Sequence, residues 1–270
     1  ASRGLGDVYK RQHMLYTANT DITIIRCALA VVAQEISWGV SSMDVSTAFL
    51  NTPLPEYGEQ FYAVPPKIMT GYGLVAASIT WRLRKAVYGL RVSPRLWGKE
   101  RDRVLKLMRI RTSEKTLRLL QSAVDQALWI VVVGEDTLAM HMMKPMGYVL
   151  TYVDDFLIFG PDAVRSRIEE EIALQWKCRM TGTVNQCQPG HHAMQCLTSL
   201  STSLRSTPPT GGFTLDQDVF TRDLLRTWSM TEARPAIGVS VGLELSMEVP
   251  ETDVDPKDVH MVQNIAGSLI

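Results

Sequence analysis

Two aspartates stand side by side in Tyr152-Val153-Asp154-Asp155-Phe156, with Leu150 before them and Leu157-Ile158-Phe159 after. Adjacent carboxylates repel each other and gain nothing from burial. Solvated turn acids are the plainer explanation, because aspartate is common in turns. The apolar flanks argue for more, since such strands are buried in a sheet that would pin both acids at one point. A divalent cation would relieve the repulsion. Phosphoryl transfer assisted by two metal ions needs hard oxygen ligands that hold the ions about 4 Å apart, one activating the attacking hydroxyl and one supporting the leaving phosphate. A third carboxylate must then come from a neighbouring strand, and Asp44 is the candidate.

The elements that would position these acids follow from periodicity. Asp21 is placed to cap a helix in which Ile22, Ile25, Leu29 and Val32 share a face. Ile36–Val45 reads as a strand, with Ser42 and Asp44 on one side and Met43 and Val45 on the other. Residues 52–69 carry four prolines and a glycine and form a loop-rich excursion, followed by a short strand over Ile79–Leu83. Ser93-Pro94 signals a helix start, with a capping hydroxyl and proline at the first helical position. That helix is predicted to run to about Arg111 and to bury Trp97, Val104 and Met108.

Gly134-Glu135-Asp136 between Ala127–Val133 and Thr137–Met143 predicts a hairpin. A second hairpin pairs Tyr148–Val153 with Phe156–Phe159 and carries Asp154-Asp155 at its tip. Asp162 is expected to cap a helix bearing Val164, Ile168 and Ile172, and a helix over about Asp216–Trp228 would bury Phe220, Leu224 and Trp228. Cys178–Pro209 is irregular, and beyond Pro235 the sequence is acidic and loop-like up to about Lys257. Hairpins mixed with separate helices indicate an α+β fold.

At 270 residues, 46% hydrophobic and 21% charged, the chain can bury one large core or two small ones and is not of disordered composition. An apolar run such as Ala127–Val133 is far short of a membrane span, so no membrane partner is expected, and no targeting segment is visible. The four cysteines, Cys27, Cys178, Cys187 and Cys196, are unevenly spaced and suggest no disulfide framework, which makes a reduced intracellular chain the default. Cys178, Cys187, His191, His192 and Cys196 match no common zinc spacing, and drifted loop sequence is the preferred reading. The formal net charge is zero, yet thirteen Lys/Arg face three acids between Arg82 and Arg118. That local excess of positive charge could follow a phosphate backbone.

Three ordered blocks resemble one family. Ser41–Leu54 (SSMDVSTAFLNTPL) is similar to the MDVKTAFLNG segment of Ty1/copia-type retrotransposon reverse transcriptases. Leu83–Trp97 (LRKAVYGLRVSPRLW) resembles their LKKSLYGLKQAPRQW segment, and Tyr152–Asp155 is the polymerase signature YVDD. Thr23–Ala33, Phe213–Met230 and the terminal AGSLI carry fainter likeness, so the resemblance spans roughly residues 16–270, poorest over 178–212. Residues 7–12, DVYKRQ, resemble the in-frame translation of a transposase end sequence used in sequencing adaptors. Residues 1–12 are therefore set aside as an assembly scar, an ordinary basic tail being the alternative.

The resemblance implies a reverse-transcriptase palm, an antiparallel sheet with packed helices, with partial fingers and a C-terminal thumb-like or connection segment. The corresponding division is 13–176 for fingers and palm and 177–270 for the thumb/connection-like segment, ending before ribonuclease H. It implies an RNA-directed DNA polymerase that transfers a nucleotide from a dNTP to a primer 3′-hydroxyl. Asp44, Asp154 and Asp155, with the backbone carbonyl of Val45, would hold two Mg²⁺ ions, with Mn²⁺ as a substitute. Phe49 matches an aromatic gate that crowds a 2′-hydroxyl, although a core aromatic is the reading its position alone supports. Tyr152 and Val153 would lie under the primer terminus, or simply pack within their strand. Tyr88, Gly89 and Arg91 would sit by template and nucleotide, with Arg95 on the basic helix beyond them. Val92 stands where the family usually has a nucleotide-contacting glutamine, and valine cannot hydrogen-bond.

Implied partners are an RNA template, a DNA primer, dNTP, and the integrase and ribonuclease H domains of a Pol polyprotein. The implied location is a cytoplasmic virus-like particle, with nuclear import of the parent complex. A second reading is a decayed, inactive fragment that keeps the palm fold and nucleic-acid binding. A third, an unrelated metal-dependent hydrolase, is disfavoured by the ordered blocks.

Overall fold

The computed structural model describes residues 20–56, 60–76, 78–134, 144–185, 196–199, 202–206 and 212–232. It divides into two compact units, residues 1–216 and 217–270, each taken by itself. The first unit contains helices α1 (Ile22–Gln34), α2 (Lys67–Gly71), α3 (Ser93–Leu107) and α4 (Asp162–Gln175). Its strands are β1 (Trp38–Val45), β2 (Tyr62–Ala63), β3 (Trp81–Arg82), β4 (Ile110–Arg111), β5 (Thr116–Gln121) and β6 (Leu128–Val133). They continue with β7 (Gly147–Tyr152), β8 (Asp155–Pro161), β9 (Cys178–Asn185), β10 (Cys196–Ser199), β11 (Thr202–Ser206) and β12 (Phe213–Asp216). The α+β class expected from the sequence is what the chain adopts.

A seven-stranded antiparallel sheet in the order β4-β5-β6-β7-β8-β1-β9 forms the centre. The two-residue period of a strand sorts its side chains onto two faces. Met43 and Val45 of β1, with Phe156 and Ile158 of β8, enter one core cluster together with Trp97 and Leu105 of α3 and Val164, Ile168 and Ile172 of α4. Trp38 and Val40, with Leu157 and Phe159, enter the other, under Ile25, Ala28, Leu29 and Val32 of α1. So α3 and α4 cover one face and α1 covers the other. Asp21 caps α1 as expected, accepting from Thr23 N–H at 2.7 Å, although Ile22 stays 44% exposed and Ala28 takes its place on the buried face.

Other expectations need correcting. Ser93 is the first helical residue of α3 rather than its cap, and its hydroxyl donates instead to the Val87 carbonyl at 2.7 Å. The helix stops at Leu107, because Ile110 pairs with Leu117 in the β4–β5 ladder; Trp97 and Met108 are buried as expected, Val104 is only partly covered, and Arg101 and Leu105 are buried as well. Asp162 is the first residue of α4 and caps nothing; its Oδ1 accepts from Arg165 at 2.7 Å. The strand expected over Ile79–Leu83 shrinks to β3, paired with β2.

The stretch read as irregular contains β9 and, after it, strands of a three-stranded sheet in the order β10-β11-β12. Only Val184 of β9 is buried, so it shows no alternation to read; its ladder to β1 makes it a strand. β6 pairs with β5 on one side and β7 on the other. Its expected partner Thr137–Met143 lies outside the described residues, as do residues 1–12, Cys187, His191, His192 and the segment beyond Pro235. In the second unit, α5 (Asp218–Thr227) buries no residue fully, and Phe220, Leu224 and Trp228 are half-buried. Among the described residues no helix is long and apolar enough to cross a membrane.

Candidate active site

The last register pair of β1 and β8 is Asp44↔Asp155. Val45 N–H donates to the Asp154 carbonyl at 3.0 Å, which makes the adjoining Asp44/Asp155 pair a non-hydrogen-bonded one. In such pairs the Cα atoms stand about 4.5 Å apart and the side chains are closest. Both acids project on the α1 side of the sheet, beyond the rows that α1 covers, and both are half-buried. Tyr152 pairs with Asp155, and Arg179 of β9 pairs with Asp44, so Tyr152, Asp155, Asp44 and Arg179 form one row across four strands.

Arg179 owes its place to a bulge. The β1–β9 register shifts between Ser42↔Gly182 and Met43↔Met180, leaving Thr181 as the extra residue. Without the shift Met43 would pair with Thr181 and Asp44 with Met180, and the guanidinium would point to the other face.

The β7–β8 connection is the two residues Val153-Asp154, with Val153 at φ 50°. A positive φ is an outlier for a β-branched residue and costs on the order of 1–3 kcal/mol. Thr47, shortly after β1, sits at φ 53°. Two of the three positive-φ residues other than glycine among the described residues thus flank the carboxylates, where strain of this kind concentrates. The Val153 carbonyl accepts from Trp97 Nε1 at 2.6 Å and from Arg101 Nη1 at 3.2 Å.

Burial pushes the Asp155 carboxyl up to about 6 from the usual 3.8, and the charges of Asp154 and Asp44 add to the rise, while Arg179 opposes it. Asp154 is also raised, first by burial; a hydrogen bond from its own backbone N–H works against that, and Asp44 adds to it. Burial, helped by the Asp44 charge, lifts the Cys178 thiol to about 11.

A linked pH effect follows for the metal-free chain. A carboxyl that holds its proton more tightly when folded stabilises the fold at low pH and loses that contribution as pH rises. Asp155 therefore makes the chain less stable between about pH 4 and pH 6, relative to Asp155→Asn. In chelator-containing buffer, the melting temperature of the parent should fall against that of the variant across this window. Parallel curves would remove the assignment.

The second and third sequence blocks meet the first through backbone pairing. Pro53 bridges Lys85, Leu54 N–H donates to Arg84 O at 2.9 Å, and Ala86 N–H donates to Thr52 O at 3.0 Å. This brings the Phe49 ring, on a short 3-10 helix over Ala48–Asn51, to 4.8 Å from the Tyr88 ring. Phe49 also packs against the first core cluster. Gly89 takes φ 86°, which a side chain rarely adopts, and its turn closes onto α3 through Ser93 N–H to Leu90 O at 3.0 Å. Arg91 is exposed, and Val92 and Arg95 are half-buried along the entry to α3. Lys99, Arg103, Lys106 and Arg109 are exposed on α3 and its C-terminal end, but α3 packs on the face away from Asp44 and Asp155. The exposed basic residues of α3 therefore lie on the side of the sheet opposite to the carboxylates.

Arg179 and the contacts of Trp97 and Arg101 were not foreseen. A bulge leaves no mark that isolates Arg179. Arg101, four residues after Trp97 on the same helical face, was legible as an arginine placed toward the core.

A family model described as reverse transcriptase (RNA-dependent DNA polymerase) matches residues 11–238. The chain belongs to this reverse transcriptase family. The retrovirus-related Pol polyprotein from transposon RE2 of Arabidopsis thaliana is 28% identical over 248 residues, covering 92% of this reverse transcriptase chain and 14% of the relative. The corresponding polyprotein from transposon RE1 of the same plant is 31% identical over 140 residues, covering 52% of this chain and 8% of the relative. The chain thus spans a small part of the curated relatives it matches. No solved structure matches. The reverse transcriptase is of the copia type, in keeping with the blocks around Asp44, Tyr88 and Asp154.

Among the described residues, no three His, Cys, Asp or Glu side chains close around a point that could hold a metal ion as they stand. The fit of Asp44, Asp154 and Asp155 to Mg²⁺ is therefore one of donor chemistry: hard oxygens at a strand end and the adjoining hairpin, where the Asp44 charge adds to the raised pKa of Asp154 and Asp155.

Proposed function

We propose that this chain is the catalytic palm region of an RNA-directed DNA polymerase, joining a dNTP to the 3′-hydroxyl of a DNA primer on an RNA template. The observation that carries this reading is the register pair Asp44↔Asp155, with Asp154 at the adjoining turn. Asp44, Asp154, Asp155 and the Val45 carbonyl oxygen would hold two Mg²⁺ ions, or Mn²⁺ in their place. When bound, the ions supply activation of the primer hydroxyl and neutralisation of charge on the departing pyrophosphate. Arg179 offsets part of the repulsion that Asp155 meets from Asp154 and Asp44.

The Phe49 ring, braced by Tyr88, forms the wall that excludes a 2′-hydroxyl. Tyr152, at the end of β7, and Val153, at the turn, support the primer terminus. Tyr88, Gly89, Arg91 and Val92 border nucleotide and template, and Arg95 at the start of α3 is a further template contact. Residues 13–176 make up partial fingers and palm, and 177–270 a thumb-like or connection segment. The parent Pol polyprotein would also carry integrase and ribonuclease H, and would act in a cytoplasmic virus-like particle before nuclear import.

RNA-templated primer extension by the full-length polyprotein and by its Asp154→Asn variant tests the proposal. Extension by the parent alone supports it, and equal extension by both removes the site assignment.

Val92 favours a second reading, an inactive remnant that keeps the fold, because valine offers the nucleotide no hydrogen bond. A parent that extends nothing leaves that reading standing. If the parent extends, Val92→Gln should lower the KM for dNTP by about 2- to 10-fold, the worth of one hydrogen bond, at nearly constant kcat. A shift in kcat alone would put residue 92 away from the nucleotide.

A further inference from the structure

We infer that Trp97 and Arg101 are positioning residues that aim the Asp154 carboxylate through the peptide bond joining Val153 to Asp154. The inference rests on the proposal that Asp154 is a metal ligand. Trp97 and Arg101 lie one turn apart on the buried face of α3, 0% and 1% exposed. Both donate to the same oxygen, the carbonyl of Val153, at 2.6 and 3.2 Å. In a trans peptide the carbonyl and the following N–H point to opposite sides. With the carbonyl drawn to the α3 side, the Asp154 N–H is turned to the side where its own carboxylate accepts from it.

The clamp is itself anchored. Arg101 Nε and Nη2 donate to Asp102 Oδ1 at 3.0 and 2.9 Å, and Asp102 Oδ2 accepts from Gln121 Nε2 at 3.2 Å. Gln121 Nε2 also donates to the Gln126 carbonyl at 2.7 Å, tying the chain of bonds to the loop between β5 and β6. One of the two donors at Val153 is cationic, and a charged donor polarises the peptide so that its N–H binds the carboxylate more firmly. The clamp also holds Val153 at a φ it would otherwise leave. Arg101 belongs to the basic segment by sequence, but its guanidinium serves the turn rather than a phosphate backbone.

Trp97→Phe removes one donor and keeps the ring; Arg101→Met removes the other and keeps the stem; Arg101→Lys keeps a cationic donor. Each is compared with the parent chain by Mn²⁺ binding, followed by electron paramagnetic resonance, and by amide hydrogen exchange. Trp97→Phe and Arg101→Met should each weaken Mn²⁺ binding about fivefold, the scale of one lost hydrogen bond, and speed exchange at Asp154. Exchange at the Leu117↔Val133 end of the β5–β6 ladder, away from Gln121, should stay unchanged, which a general loss of stability would not allow. Arg101→Lys should keep binding within about twofold of the parent. Mn²⁺ affinity and Asp154 exchange that match the parent in both deletion variants would overturn the clamp. Asp154→Asn separates the two levels. If it binds Mn²⁺ as the parent does, the metal-ligand reading fails, and exchange at Asp154 in the clamp variants then judges the clamp alone.

Discussion

Asp44→Asn should lower RNA-templated primer extension by about a thousandfold at saturating Mg²⁺, with the melting temperature unchanged or higher. Asparagine keeps the shape and β-strand place of the side chain but removes its charge. Charge stabilisation by bound metal is worth several kcal/mol, and each 1.4 kcal/mol lost is about tenfold in rate. Stability responds in the opposite sense, because Asp44 repels Asp155 and Asp154 and its removal relieves both. An ordinary structural aspartate would show the reverse pattern, with stability lost and turnover largely kept. Extension within tenfold of the parent would remove Asp44 from the catalytic set.

Phe156→Ala should cost about 3–5 kcal/mol of stability, the usual range for truncating a fully buried phenylalanine. Phe156 is 0% exposed and follows Asp155 directly, so the two side chains take opposite faces of β8. Its ring stacks on Trp176, with centroids 6.2 Å apart at 18°, and Trp176 in turn meets Trp97 edge-on at 5.1 Å. Removing the ring empties the space between the strand that carries Asp155 and the helices behind it. Against a total stability of about 5–15 kcal/mol, the loss leaves a chain unfolded at moderate denaturant. Phe156→Leu, which keeps most of the volume, should cost about half as much or less. Urea titration followed by tryptophan fluorescence measures both, and a loss under 1 kcal/mol for the alanine variant would mean the cluster is not packed as described.

Both variants act on a region whose outline was readable before any coordinates. The alternation Ser42, Asp44 against Met43, Val45 is the alternation the sheet shows, because a strand with two different faces has one solution for which side goes inward. The helix over Val164, Ile168 and Ile172 was equally plain, since all three are buried at helical spacing. Boundaries fared worse. Ser93-Pro94 carries a strong start signal, yet the serine hydroxyl found a better partner in Val87 O, and the C-terminal end of α3 was decided by the pairing of Ile110 with Leu117. No local signal reports a competition of that kind. β9 was missed because it buries only Val184 and is held by backbone bonds, which every residue type but proline can make.

The amino-acid sequence by itself determined the three carboxylates, the strand end and the hairpin that carry them, and the family to which their blocks belong, because these rest on residue type and local spacing. The turn expected at Asp154-Asp155 is Val153-Asp154, and Asp155 opens β8 opposite Tyr152. Tertiary structure alone decided that Asp44 faces Asp155, that a bulge brings Arg179 onto their row, that α3 lies behind the sheet, and that Trp97 and Arg101 grasp the Val153 carbonyl. Those outcomes depend on ladder register and on contacts between segments about fifty to over a hundred residues apart. Register is settled by which pairing buries the most apolar surface while satisfying the backbone. That is a property of the whole assembled sheet, and no single stretch of residues carries it.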